Sequence, residues 1–224
     1  MKTEFTQLIE DLPLAYRYRQ STEQPGGLIA LMHGVGSNEE SLWGLANYIP
    51  ENYSVALVRS PLCMGPGAYS AFAVNFTTTG PVIDVSAAEE SRQKLVAFIA
   101  ELQRRYEVLP ERTLIGGFSQ GGIMSASLAL TEPSCVRGFA ILSGRVLSEI
   151  ESLIASKDDL KHLSALVVHE RADDRLPFYW AERSVGKLGE LGIDFQSLAY
   201  PMGHEITREV ATDFANWVRR VMPS

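Results

Sequence analysis

Short runs of continuously apolar residues, such as Leu28-Ile29-Ala30-Leu31-Met32 and Leu166-Val167-Val168, alternate along this chain with longer helical patterns. A strand that is apolar on both faces has to be covered on both faces, so the runs argue against a half-solvated antiparallel sheet. Candidate strands fall at Ala15–Arg19, Leu28–Met32, Ser54–Arg59, Thr113–Gly116, Val136–Leu142, Leu166–His169 and Asp194–Ala199. Candidate helices lie between them at Glu39–Tyr48, Ala87–Tyr106, Gln120–Leu130, Pro177–Leu191 and Glu205–Val221. In the second of these, Leu95, Phe98, Ile99, Leu102 and Tyr106 form one apolar stripe, with charges on the other face. Pro177 suits the first turn of its helix, where no amide donor is needed. Strand followed by helix, repeated, predicts an α/β fold: a mostly parallel sheet with helices on both faces. The 224 residues show no internal repeat and no linker, which suits one domain over the whole chain.

One stretch has no steady period. From Pro61 to Val85 the chain is rich in Gly, Pro, Thr and aromatics. An irregular connection of that length inside a compact domain is usually functional or mobile, and after a strand end it lies where ligands bind.

The residues that carry chemistry begin with Gly116-Gly117-Phe118-Ser119-Gln120-Gly121-Gly122, set between the run Thr113-Leu114-Ile115 and a helix of small apolar residues. A bare G-x-S-x-G arises by chance in roughly one chain in ten of this length, at a glycine frequency near ~7%. Its position at a strand-to-helix junction is what a nucleophile elbow requires: a serine in a strained turn exposes its Oγ, and bulky neighbours would strike the crossing backbone. The amide of Gln120 then opens the helix, where free donors and the dipole favour an oxyanion.

Three further segments fit that reading. His33-Gly34-Val35-Gly36 closes an earlier strand, and by position the amide of Val35 supplies a second oxyanion donor. His33 itself precedes the serine in the chain and reads as a hydrogen-bonded loop histidine. The strand Val167-Val168-His169 runs into the acidic loop Glu170-Arg171-Ala172-Asp173-Asp174, where a carboxylate could orient an imidazole. Asp173 and Asp174 are near equal on this ground alone. His169 reads as a structural residue at the strand end, and His162 as solvated in a charged stretch. Finally, Tyr200-Pro201-Met202-Gly203-His204-Glu205 lies between the last strand and the last helix, and only His204 joins a strand-end loop to the right chain order. The order Ser119, acid, His204 is that of α/β-hydrolases and not of the chymotrypsin or subtilisin type.

With those residues in place, the chain resembles the phospholipase/carboxylesterase family of α/β-hydrolases, which includes bacterial carboxylesterases and acyl-protein thioesterases. The resemblance runs from Leu28 to the final helix. It rests on Leu31-Met32-His33-Gly34-Val35-Gly36, Gly117-Phe118-Ser119-Gln120-Gly121-Gly122, Leu142-Ser143-Gly144 and Met202-Gly203-His204-Glu205-Ile206. It implies an α/β-hydrolase fold and a serine esterase or thioesterase, with Ser119 as nucleophile, His204 as base and the Val35 and Gln120 amides as oxyanion hole. The family's acid loop reads His-Gly-x-x-Asp with Val-Pro shortly after. Here His169-Glu170-Arg171-Ala172-Asp173 and Leu176-Pro177 keep that register, which selects Asp173. Two departures stand out: Glu170 occupies the usual glycine position, and Phe72 follows Pro66-Gly67-Ala68-Tyr69 where the family often has tryptophan.

Candidate substrate walls are Met64, Tyr69, Phe72 and Phe76 from the irregular stretch, with Val146, Leu147, Leu176 and Met202 from other loops. Such walls suit a short or medium acyl chain. Two alternatives stay open: a catalytically idle binding protein on the same fold, and a peptidase or C–C hydrolase using the same three residues. There is no H-E-x-x-H, no paired C-x-x-C and no phosphate-cradling glycine loop, so neither metal nor cofactor is expected.

Composition narrows the partners. A net charge of −7 repels nucleic acid and anionic membrane surfaces. The apolar stretches are shorter than a membrane span, the segment Met1 to Asp11 does not read as a secretory signal, and Cys63 and Cys135 suit free thiols in a reducing cytoplasm. A small acyl ester or thioester is the expected partner, and an exposed apolar edge would support a homodimer by analogy.

Overall fold

A computed structural model describes residues 4–22, 26–77 and 80–223, leaving aside the side chains of Phe76 and Thr77. In chain order, β1 (Tyr16–Arg19) and β2 (Leu28–Met32) precede a 3-10 turn at Glu39–Leu42 and the short α1 (Trp43–Ala46). Next come β3 (Ser54–Val58), β4 (Leu62–Gly65), β5 (Ala68–Ser70), β6 (Val74–Thr77), β7 (Gly80–Ile83) and α2 (Val85–Tyr106). Then follow β8 (Thr113–Phe118), α3 (Gln120–Thr131), β9 (Gly138–Leu142), α4 (Lys157–Leu160) and β10 (Ser164–Glu170). The last elements are α5 (Tyr179–Leu191), β11 (Asp194–Tyr200) and α6 (Arg208–Val221).

Seven strands form the central sheet in the order β1-β3-β2-β8-β9-β10-β11. Only β1 is antiparallel to its neighbour; the remaining contacts are parallel. The continuous apolar runs have the predicted cause, since all residues of β2, β3, β9 and β10 are buried. Alternate side chains serve opposite faces. Ala30 and Met32 join the layer of Leu95, Phe98 and Ile99 on α2, whereas Ile29 and Leu31 join Phe214 and Trp217 on α6. At about 25 cal/mol per Å² of apolar surface, burial of these two layers is the main favourable contribution to folding.

Several expected boundaries move, each for a local reason. The helix expected at Glu39–Tyr48 is a 3-10 turn and one α turn, because Glu39 is drawn into the interior by Arg17 and Arg59. The helix expected from Pro177 starts at Tyr179, and Pro177 instead offers its carbonyl to Trp180 in the turn before it. The helix expected from Glu205 starts at Arg208, because extended Thr207 caps it through a 3.5 Å contact to the Val210 amide. His204 lies on the loop before it, as expected. The strand expected from Val136 starts at Gly138, since Pro133–Cys135 form a 3-10 turn. The Pro61–Val85 stretch is two small antiparallel hairpins, β4 with β5 and β6 with β7. Strands of three or four residues with little burial leave no period to read; Cys63 lies exposed on β4.

Candidate active site

Five loops meet at the carboxyl edge of the sheet, where open α/β sheets place their ligands. They follow β2, β8, β9, β10 and β11, and they carry Val35, Ser119, Ser143-Gly144-Arg145, Asp173 and His204 respectively.

Ser119 sits between β8 and α3 with φ +54°, ψ −118°, a conformation that costs a non-glycine residue on the order of 1–3 kcal/mol. The surroundings hold it there. Its amide donates to Leu142 O at 2.7 Å, and its carbonyl accepts from Ile123 N at 3.1 Å. The glycines after it answer to close packing: a Cβ on Gly121 would lie 2.0 Å from Met32 O, so no other residue lets α3 cross the β2 strand end. Neither the Val35 amide nor the Gln120 amide donates to another group among the described residues.

His204 Nδ1 donates to Asp173 Oδ2 at 2.7 Å, and the Asp173 side chain is fully buried. The other carboxylate oxygen, Oδ1, accepts from the amides of Arg175 and Leu176, both at 2.8 Å. Asp174 stands outside this arrangement, 86% exposed, with Arg175 at 3.9 Å. The two loops are stitched together by backbone bonds from Arg171 N to Tyr200 O (2.7 Å) and from Ala172 N to Met202 O (3.1 Å). The ring of Phe118 packs on His204 with centroids 4.6 Å apart. With the Nδ1 proton committed to this acceptor, Nε2 is the imidazole's free acceptor.

The other histidines are held in structural bonds. His33 is buried, donates from Nδ1 to Gly34 O at 2.7 Å and accepts at Nε2 from Ser60 N at 3.1 Å. Burial lowers its pKa, which keeps it neutral. His169 is also buried and lowered by burial; it donates from Nε2 to Leu176 O at 2.7 Å. His162 reaches Pro133 O at 2.9 Å from an exposed position.

Glu170 behaves differently from the glycine whose place it takes. It is fully buried, and neither carboxylate oxygen accepts a hydrogen bond. Burial pushes its pKa up to about 7; the Ser143 hydroxyl nearby opposes that, and the negative charges of Asp173 and Glu205 add to it. His169, Glu170 and Asp173 bring three metal-ligand side chains within 4.8 Å of one another, a proximity that motif spacing had not suggested. Asp173, however, already spends both oxygens on His204 and two backbone amides.

One cavity is lined by Ser119, Gln120, Val35, Phe72 and Leu176 together. The Gln120 side chain builds one wall by accepting from Ala71 N at 2.7 Å and donating to Phe72 O at 2.8 Å. Gln120→Ala is therefore expected to cost about 1–3 kcal/mol by stranding buried partners, and to raise KM more than it lowers kcat; denaturant unfolding and steady-state kinetics check this.

Other expected walls lie elsewhere. Met64 is 57% exposed on β4. Tyr69 lies 4.5 Å beneath the Arg59 guanidinium, which Glu39 holds with two contacts under 3 Å. Met202 packs into the layer on the α6 side of the sheet, and Val146 and Leu147 pack into the α2 side. The Phe76 side chain lies outside the described residues. The remaining walls, Val74, Pro81, Ile83, Ile123, Arg145 and Arg175, were not anticipated. For Arg145 a signal was available, because it directly follows a strand end in the Leu142-Ser143-Gly144 segment.

Comparison with known proteins agrees with this architecture. The family model described as Phospholipase/Carboxylesterase matches residues 18–222. An acyl-protein thioesterase 1 of Mycosarcoma maydis is 24% identical, over 92% of this chain and 95% of that protein. Carboxylesterase SOBER1 of Arabidopsis thaliana is 28% identical over 63% of this chain and 62% of its own length. A carboxylesterase structure from Mesorhizobium loti superposes with a TM-score of 0.83 at 23% identity, covering 96% of this chain and 99% of that one. The expected α/β-hydrolase fold is the fold found.

Proposed function

Because the chain belongs to the phospholipase/carboxylesterase family of carboxylic ester hydrolases, we propose that it cleaves acyl esters or thioesters through Ser119, His204 and Asp173. The observation that carries this reading is the 2.7 Å bond from His204 Nδ1 to a fully buried Asp173, on loops converging with the strained Ser119 at one sheet edge.

In the first step His204 Nε2 takes the Ser119 proton while Oγ attacks the carbonyl carbon. The oxygen that gains charge rests on the Val35 and Gln120 amides, which have no other acceptor to give up among the described residues. One such preorganised donor is worth about 3 kcal/mol in the transition state. The tetrahedral species then expels the alcohol or thiol, which takes the proton back from His204. Water repeats the sequence on the acyl-serine, with His204 again as base, and releases the acid.

Phe72, Ile123 and Leu176 give the cavity apolar walls of the sort a short or medium acyl chain would contact. The whole chain acts as one catalytic unit, and cytoplasmic placement is part of the same reading, supported by two cysteines that remain unpaired. No helix among the described residues is long and apolar enough to cross a membrane.

The test is twofold. A p-nitrophenyl ester series from acetate to palmitate should be hydrolysed, with the best chain length sizing the pocket. A fluorophosphonate should add once per chain, on the peptide holding Ser119. A folded protein inert to both reagents, or labelled on another residue, would remove the proposal.

A further inference from the structure

One strong positive charge at the cavity has no part in the chemistry above. Arg145 follows the turn Ser143-Gly144 at the end of β9, and that turn passes directly over the elbow. A Cβ on Gly144 would stand 2.8 Å from Ser119 O, so glycine is what permits the approach. The loop is then tied to α5: Val146 N donates to Ser184 Oγ at 2.9 Å, and that hydroxyl donates to Trp180 O at 2.8 Å. Arg145 is thereby held one residue beyond the closest contact with the nucleophile's backbone.

Arg145 is 3% exposed, with Cζ 4.3 Å from the centre of the Trp180 ring. Among the described residues the guanidinium makes no hydrogen bond and no ion pair. Burial lowers its pKa; the field of Glu149 opposes that from a distance, and Arg183 adds to it. A guanidinium has five donors, and stacking on an aromatic ring satisfies none of them. Buried charges in proteins are nearly always paired, because an unpaired one costs several kcal/mol. Here the unpaired charge lines the same cavity as Ser119. A second cation lines that cavity as well: Arg175, whose side chain is 73% exposed and meets Asp174 at a loose 3.9 Å.

We propose that Arg145, assisted by Arg175, binds a carboxylate carried by the substrate, so that the preferred esters are anionic close to the scissile bond. This deepens the hydrolase reading of the same cavity and rests on it. The fork of Arg145 supplies paired donors to a carboxylate, and the ring of Trp180 holds the fork in one plane. The apolar walls would strengthen that pairing by excluding water. The carboxylate could sit in the acyl chain or in the alcohol, and the two are separable by experiment.

Two matched pairs of substrates decide the matter. Monoethyl succinate against ethyl butyrate places the charge in the acyl chain; acetoxyacetate against acetoxyacetamide places it in the leaving group. In one pair, kcat/KM for the anionic ester should exceed that of its neutral partner by about tenfold or more, as expected for a charge-assisted bidentate contact. Arg145→Met should reduce that ratio by a similar factor, and Arg145→Lys should restore part of it. A merely structural arginine would change both members of a pair together and leave the ratio alone. Should Arg145→Met fail to fold, the wild type still decides: succinate should inhibit ethyl butyrate hydrolysis at about tenfold lower concentration than the neutral succinamide does. Neutral esters hydrolysed as fast as anionic ones, with succinate and succinamide equal as inhibitors, would overturn the carboxylate site and leave the hydrolase standing. Absence of any ester hydrolysis and of phosphonate labelling would overturn both.

Discussion

Replacing Asp173 by asparagine is expected to lower kcat for ester hydrolysis roughly 10⁴-fold without unfolding the protein. The reason lies in which imidazole nitrogen holds the proton. Asp173 Oδ2 accepts from His204 Nδ1 at 2.7 Å, which leaves Nε2 unprotonated and able to receive the Ser119 proton. An amide NH₂ at that position would favour the opposite tautomer, with Nε2 protonated and useless as a base. The carboxylate also steadies the imidazolium once it forms, and a neutral amide does not. Oδ1 meanwhile holds the turn through the Arg175 and Leu176 amides, bonds that the asparagine carbonyl can keep. KM should therefore change little. Asp174→Asn serves as the matched control, because Asp174 is 86% exposed and stands 3.9 Å from Arg175, outside the His204 bond; its kcat should stay within about twofold of wild type. Steady-state kinetics on one ester with both variants is sufficient. Similar losses in the two, or a loss of less than about tenfold in Asp173→Asn, would discard the assignment. The deficit should not multiply with Ser119→Ala, since residues that act as one unit are far from additive.

Glu170→Gln is expected to stabilise the protein at alkaline pH and to do so progressively less as the pH falls. The folded chain keeps the Glu170 proton to about pH 7, whereas the ordinary value is 4.5. Between those two values the folded state binds more protons than the unfolded one, so stability declines as pH rises. The decline is complete above about pH 7 and absent below about 4.5, and it amounts to on the order of 3 kcal/mol. Glutamine removes the titration and keeps the shape. His33 and His169, whose pKa values burial lowers, impose an opposite slope at acid pH. They are present in both proteins and cancel in the difference. Denaturant unfolding of wild type and variant at pH 5 and pH 8.5 measures it. A difference that does not vary with pH would show that Glu170 titrates normally.

The chain's own order of residues determined a good deal. Leu28–Met32 and Leu166–Val168 are apolar on both pleat faces, and that alone demands helices above and below a parallel sheet. Gly117-Phe118-Ser119-Gln120-Gly121 at a strand-to-helix junction located the elbow, because the backbone crossing it admits only glycine at Gly121. These are local constraints, written within a few neighbouring residues. The edges of elements were less legible, as where Thr207 caps α6 late or where Pro61–Val85 folds into hairpins too short to carry a period.

Tertiary structure alone decided the rest. Asp173 and Asp174 are adjacent and chemically identical; only the backbone stitching of the β10 and β11 loops buries one against His204 and leaves the other in water. Tyr69 was as good a wall as Phe72 until Arg59 stacked on it. Glu170 is an ordinary acid in sequence and an unsolvated one in the fold, and Arg145 is an ordinary cation until α5 and Trp180 enclose it beside Ser119. Burial and pairing depend on residues far apart in the chain, and the free energy of a charge is set by what surrounds it in space.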